Sequence, residues 1–110
     1  MSSRAPIAPK HLTEEAKTVW RKVVHEWDFD SSGLTVLRVA LEAFGRLQEA
    51  RKVLEVEGCT TVSPSGMVRE HPACKLEKEA RSGFLQAWRM LNLDIDVPAG
   101  AYGKAPPRLG

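Results

Sequence analysis

Residues 34–57 read LTVLRVALEAFGRLQEARKVLEVE and are followed by Gly58, and this stretch decides the fold. Leu37, Leu41, Phe44, Leu47, Gln48, Arg51 and Leu54 fall close to a seven-residue repeat. That is the spacing of one helix face, not the alternation of a strand. Gly58 suits a left-handed C-terminal cap. At 1.5 Å per residue the helix spans roughly 35 Å, longer than the average globular helix. Ala40, Ala43 and Ala50 would let a neighbouring helix approach closely.

Upstream, Asp28-Phe29-Asp30-Ser31-Ser32-Gly33 is turn chemistry, and Ser31, Ser32 or Thr35 each offers a cap for the long helix. Before it, Thr13 supplies an N-cap oxygen, with Glu14 and Glu15 in the first turn, where carboxylates suit the helix dipole. Ala16, Trp20, Val23, Val24 and Trp27 then recur at helical spacing, and Lys17, Arg21 and His25 fall on the other side. A first helix over about 13–27 is expected. The periodicity assigns Trp20 and Trp27 to packing in the core. Residues 1–12, MSSRAPIAPKHL, read as a flexible basic arm.

Downstream, Thr60-Thr61-Val62 and Met67-Val68-Arg69 are short β-favouring runs around Ser63-Pro64-Ser65-Gly66, which predicts a hairpin. His71-Pro72 opens a third helix, with proline at the first position, where no amide donor is needed. Ala73, Leu76, Ala80, Phe84, Ala87 and Leu91 line one face of it. Lys75, Lys78 and Arg89 lie nearly opposite, and Asn92 is placed for a left-handed cap. Residues 94–110, with three prolines and three glycines, read as a flexible tail. The expected class is mainly α: three helices with a long central one, a small β-hairpin between helices two and three, and flexible termini. The core domain covers 13–93.

A 110-residue chain is one domain. Its hydrophobic content of 43% and charged content of 27% are ordinary globular values, which argues against a wholly disordered protein. A domain this small is thinly cored, so covering more apolar surface with another chain would stabilise it. The second helix also overhangs the first. Leu37, Leu41, Phe44, Leu47 and Leu54 along its seam, with Trp88 at the edge of its own stripe, are therefore the candidate interface between copies.

The residues do not converge on chemistry. There is no Gly-rich phosphate loop and no serine elbow, and no GxGxxG follows a strand. Cys59, His71 and Cys74 have metal-ligand chemistry, but their spacing lacks the close cysteine pair and the fourth ligand of common zinc sites. No catalytic residue, metal, cofactor or small-molecule substrate is expected. Two cysteines, no secretory signal and no membrane-length apolar run point to a reducing, intracellular location with free thiols.

Charge supplies the one functional hint. The net charge of +2 and pI near 8.7 fall below the value above about 9 usual for a dedicated DNA-binding domain. If DNA is the partner, many copies must share the phosphate contacts. Basic residues dominate at both ends: residues 1–27 carry five Lys/Arg against three acids, and 59–91 again five against three. The candidate DNA-binding residues are Arg4, Lys10, Lys17, Arg21 and Lys22, with Lys75, Lys78 and Arg89 on the third helix. Phosphate contacts of this kind set affinity and its salt dependence.

The order Ala8-Pro9-Lys10-His11-Leu12-Thr13-Glu14-Glu15-Ala16, then Trp20 and Trp27, resembles the start of the small terminase subunits of tailed phages, in the group often found in prophages. Leu34-Thr35 leading a long Ala/Leu helix, Gly58, the hairpin through Ser65-Gly66, His71-Pro72 and the helix to Leu91-Asn92-Leu93 continue the similarity over residues 8–93. The family commonly has glycine where Asn92 stands. The resemblance implies a non-catalytic protein that assembles into a cyclic ring and binds double-stranded viral DNA at the packaging-initiation site. It also implies delivery of that DNA to the large terminase subunit, the ATPase and nuclease, in the cytoplasm of a bacterial host. Three other readings stand beside it. One is a helix-turn-helix transcription regulator, against which the six-residue turn 28–33 is long. Another is a structural phage-head adaptor without DNA binding, and the third is a small enzyme, which needs a convergent polar pocket that the sequence does not supply.

Overall fold

The computed structural model describes residues 5–93. The element order is α1 (Glu14–Glu26), α2 (Ser31–Glu57), β1 (Thr60–Val62), β2 (Val68–Glu70) and α3 (Pro72–Leu91). The mainly α class, with one antiparallel hairpin between the second and third helices, is as the sequence predicts. Arg4 and the tail from 94 to 110 lie outside the described residues.

Each boundary has a local cause. The Thr13 hydroxyl accepts from the Ala16 amide at 3.1 Å and starts α1. α2 begins earlier than its apolar pattern suggests, because its cap is Asp30 and not Ser31, Ser32 or Thr35. The Asp30 carboxylate accepts from the Gly33 amide at 2.7 Å, and Ser31 to Gly33 become the first helical turn. The connection from α1 is therefore four residues, 27–30, and not six. Gly58 has φ of 77° with an extended ψ of 174°, so it needs glycine but is not the left-handed helical cap expected of it. His71 caps α3, its Nδ1 accepting from the Ala73 amide at 2.9 Å ahead of Pro72. Asn92 takes the left-handed conformation expected, with φ 52° and ψ 43°.

α3 runs back antiparallel along α2, and this pairing forms the larger helix contact, with α1 making a smaller one. Its register is marked by three contacts: His71 with Glu57, Glu77 with Arg51, and the Phe84 ring with Phe44. The core joins Leu12, Ala16, Trp20, Val23 and Val24 to Leu37, Ala40, Leu41, Ala43 and Phe44 of α2, and to Phe84, Ala87 and Trp88 of α3. Gly45 of α2 packs against the N-cap of α1, where an added Cβ would meet the Thr13 methyl at 3.1 Å.

This packing corrects the candidate interface between copies. Leu37, Leu41 and Leu47 are 0% exposed and Phe44 only 2%, all inside the protomer. α3 occupies the seam that was reserved for a second chain. Trp88 likewise faces inward at 5% exposure, with its ring centroid 5.5 Å from that of Phe84. Its indole N–H finds no protein acceptor among the described residues. Leu54 is half-buried. Leu76, read as part of the inner face of the third helix, is 49% exposed, and the buried first-turn positions are Ala73 and Cys74.

The basic arm is corrected too. From Pro6 onward it lies on the body: the Trp20 indole N–H donates to the Pro6 carbonyl at 2.9 Å. A turn from Pro9 to Leu12 then sends the Leu12 side chain into the core. The strand pairing is Thr60 with Glu70, Thr61 with Arg69 and Val62 with Val68. Every strand residue is exposed. No helix among the described residues is long and apolar enough to cross a membrane.

Candidate nucleic-acid interface

The docked arm builds a cleft against α1. Trp20 anchors Pro6 from the buried side of the helix, which lays Ala5 to Ala8 beside the adjoining flank. Lys17, Arg21 and His25 stand four residues apart and therefore share that flank. With Lys10 from the arm they line a cleft of about 550 Å³ whose other lining residues include Pro6, Ala8 and Val24. Lys17 Nζ is 3.4 Å from the exposed carboxylate of Glu14, a one-turn pair of the weak surface kind. No ion pair among the described residues neutralises Lys10 or Arg21. Ile7 is 90% exposed at the lip.

Three of the eight candidate basic residues thus converge, Lys10, Lys17 and Arg21, and the structure adds His25. Its four-residue step from Arg21 was the signal that could have placed it in the set. Lys22 is exposed on α1 but does not line the cleft. The residues of α3 do not join it. Lys78 makes an exposed pair with Glu70 at 3.2 Å beside the hairpin, and exposed Lys75 and Arg89 are separated by 14 positions, roughly 21 Å of helix. A larger groove of about 640 Å³ between the arm, α2 and α3 has mixed charge. His11 faces Glu42 there at 2.7 Å, beside Arg46 and Glu49, so it lacks the single sign that attracts a polyanion.

The expectation of free thiols is overturned, since Cys59 and Cys74 form a disulfide. They were expected as separate loop and helix thiols, but the hairpin returns the chain so that their Cα atoms lie 5.5 Å apart. His71 does not join them. Its two ring nitrogens meet the Ala73 amide and the Glu57 carboxylate, the latter at 2.7 Å. Glu70 is the group near the two sulfurs, all three ligand atoms lying within 4.8 Å of one another. With both sulfurs in the disulfide, Glu70 alone is left to donate, short of the four ligands that hold a structural zinc ion.

No family model matches the sequence, and neither a curated protein nor a solved structure is significantly similar to it.

Proposed function

We propose that this chain is a non-catalytic, oligomeric DNA-binding protein of the terminase small-subunit type, which binds packaging-site DNA and presents it to the large terminase subunit. The observation that carries the reading is the cleft where Lys10, Lys17 and Arg21 meet, with no acid on its lining. Phosphates are its natural occupants, and the exposed Ile7 at its lip is placed to lie against a sugar. One such cleft is a small footprint. Repetition around an axis multiplies it, in keeping with the modest charge of +2 per chain. With the α2 seam filled from within, contacts between copies fall to the hairpin end. Val56, Val62, Met67 and Val68 are there 85%, 68%, 58% and 67% exposed.

The test is duplex binding by the full chain across a salt series. Binding that weakens linearly in log salt supports the reading, and no binding in 50 mM salt leaves the structural head adaptor. Stimulation of the ATPase of a large terminase subunit from the same genome tests the packaging half.

One observation favours a second reading. The four-residue connection between α1 and α2 falls within the three to four residues of a helix-turn-helix, where the turn first expected did not. Ser31, Ser32, Thr35 and Arg38 are exposed along the start of α2, as a reading helix requires. Arg38→Ala separates the two. Under the packaging reading, DNA affinity and sequence preference change less than about threefold, whereas loss of a base-reading arginine relaxes discrimination by about 1–3 kcal/mol at one base pair. Competition between related duplexes reads the difference.

A further inference from the structure

The hairpin is held to the body by very little except sulfur. All six strand residues are exposed, and a lone two-stranded hairpin is marginal in water. Besides the cross-link, its base is tied by the His71 amide donating to the Cys59 carbonyl at 2.8 Å. A Lys78–Glu70 ion pair adds a contact between side chains 61% and 49% exposed, the kind that contributes little. The disulfide spans 15 residues and removes much of the freedom of the loop it closes. Its Cα separation of 5.5 Å lies inside the usual range of roughly 4.4–6.8 Å. The two sulfurs are not equivalent: Cys59 is exposed, whereas Cys74 is 7% exposed in the first turn of α3. Neither belongs to the main core cluster, so the bond can open without disturbing it.

We infer that Cys59–Cys74 is a thiol–disulfide exchange site for low-molecular-weight monothiols, and that its redox state sets whether the hairpin is docked. A monothiol thiolate attacks the accessible Cys59 sulfur. A mixed disulfide forms there, the bond to Cys74 breaks, and the departing Cys74 thiolate takes up a proton. A second monothiolate attacks the adduct at its non-protein sulfur. It leaves as the small-molecule disulfide, and the Cys59 thiolate is protonated. Two electrons and two protons pass from two monothiols to the protein. In the oxidised form Val62, Met67 and Val68 are presented at a fixed place beside α3; in the reduced form that apolar surface loses its position. The inference does not depend on DNA being the partner.

The experiment places the full chain in buffers of stepped reduced-to-oxidised glutathione ratio. Free thiols are counted by alkylation and mass spectrometry, and backbone hydrogen exchange is followed in parallel. Both cysteines should pass from bonded to free across the series, with the glutathione adduct trapped on Cys59. Amides of residues 60–70 should exchange on the order of a hundredfold faster once reduced, as loss of a loop of this length implies. Those of residues 37–47 should stay unchanged. Cys59→Ser should show fast hairpin exchange at every ratio. An adduct trapped on Cys74, equal hairpin protection in both states, or equal loosening of 37–47 overturns the inference. So does slow hairpin exchange in Cys59→Ser.

Discussion

Phe84→Ala should destabilise the protein by about 3–5 kcal/mol, the usual cost of removing a fully buried phenylalanine. Phe84 is 0% exposed, and its ring lies 5.4 Å from that of Phe44 on α2 and 5.5 Å from that of Trp88 one turn on. The side chain is thus the central member of an aromatic row that joins α3 to α2. Two effects add: the lost transfer of the ring from water, and the cavity left between two helices that cannot close together without moving Phe44 and Trp88. A domain of this size has about 5–15 kcal/mol in total, so the variant should sit near the edge of folding. Urea unfolding reads the loss as a lower midpoint. The control is Leu76→Ala, which the simple apolar pattern would rank beside Phe84. At 49% exposure it should change stability by less than about 1 kcal/mol. Equal losses in the two variants would mean that α3 presents a different face to α2.

The second large effect is on DNA binding. Replacing Lys10, Lys17 and Arg21 together by alanine removes every lysine and arginine that lines the cleft. Each neutralised phosphate contributes about 0.9 to the slope of log affinity against log salt, so the slope should flatten by roughly 2–3 per bound protomer. At 0.1 M salt that corresponds to a loss of affinity on the order of a hundredfold. All three side chains are exposed or half-buried, so folding should survive, and circular dichroism checks it. The parallel triple replacement of Lys75, Lys78 and Arg89 should flatten the slope by less than one, because none of the three lines the cleft and Lys75 and Arg89 stand roughly 21 Å apart along α3. An unchanged slope in the first variant, with a flattened one in the second, would move the binding surface to α3.

The helices were legible because local signals agreed with packing. Thr13, Pro72 and Asn92 each mark a boundary by their own chemistry, and the stripe from Ala16 to Val24 is buried as its spacing implies. What sequence could not supply was which surface covers which. The α2 repeat is real, but a repeat does not name its partner, and α3, returning through the hairpin, fills the seam before any second copy can. Trp88 illustrates this: at the edge of its own helix stripe, it becomes central once Phe84 and Phe44 are placed beside it. Asp30 is followed by three hydroxyl-bearing residues that can also cap a helix, and only the direction of the Gly33 amide shows which oxygen wins. The cleft was half legible. Lys17 and Arg21 share a face by spacing, but Lys10 joins them only because Trp20 holds Pro6, a contact across 14 residues that leaves no periodic trace. The disulfide was hidden for the same reason: 15 residues separate its cysteines, and a hairpin turn of unknown direction decides whether they meet.

Sedimentation velocity of the full chain, alone and with a duplex of about 40 base pairs, tests most directly whether copies pool their clefts. At tens of micromolar protein in 0.1 M salt the 12.2 kDa chain should sediment as a closed multimer, and the DNA complex should carry several protomers per duplex. A boundary at the mass of one chain that does not shift when duplex is added, even at 50 mM salt, would contradict it.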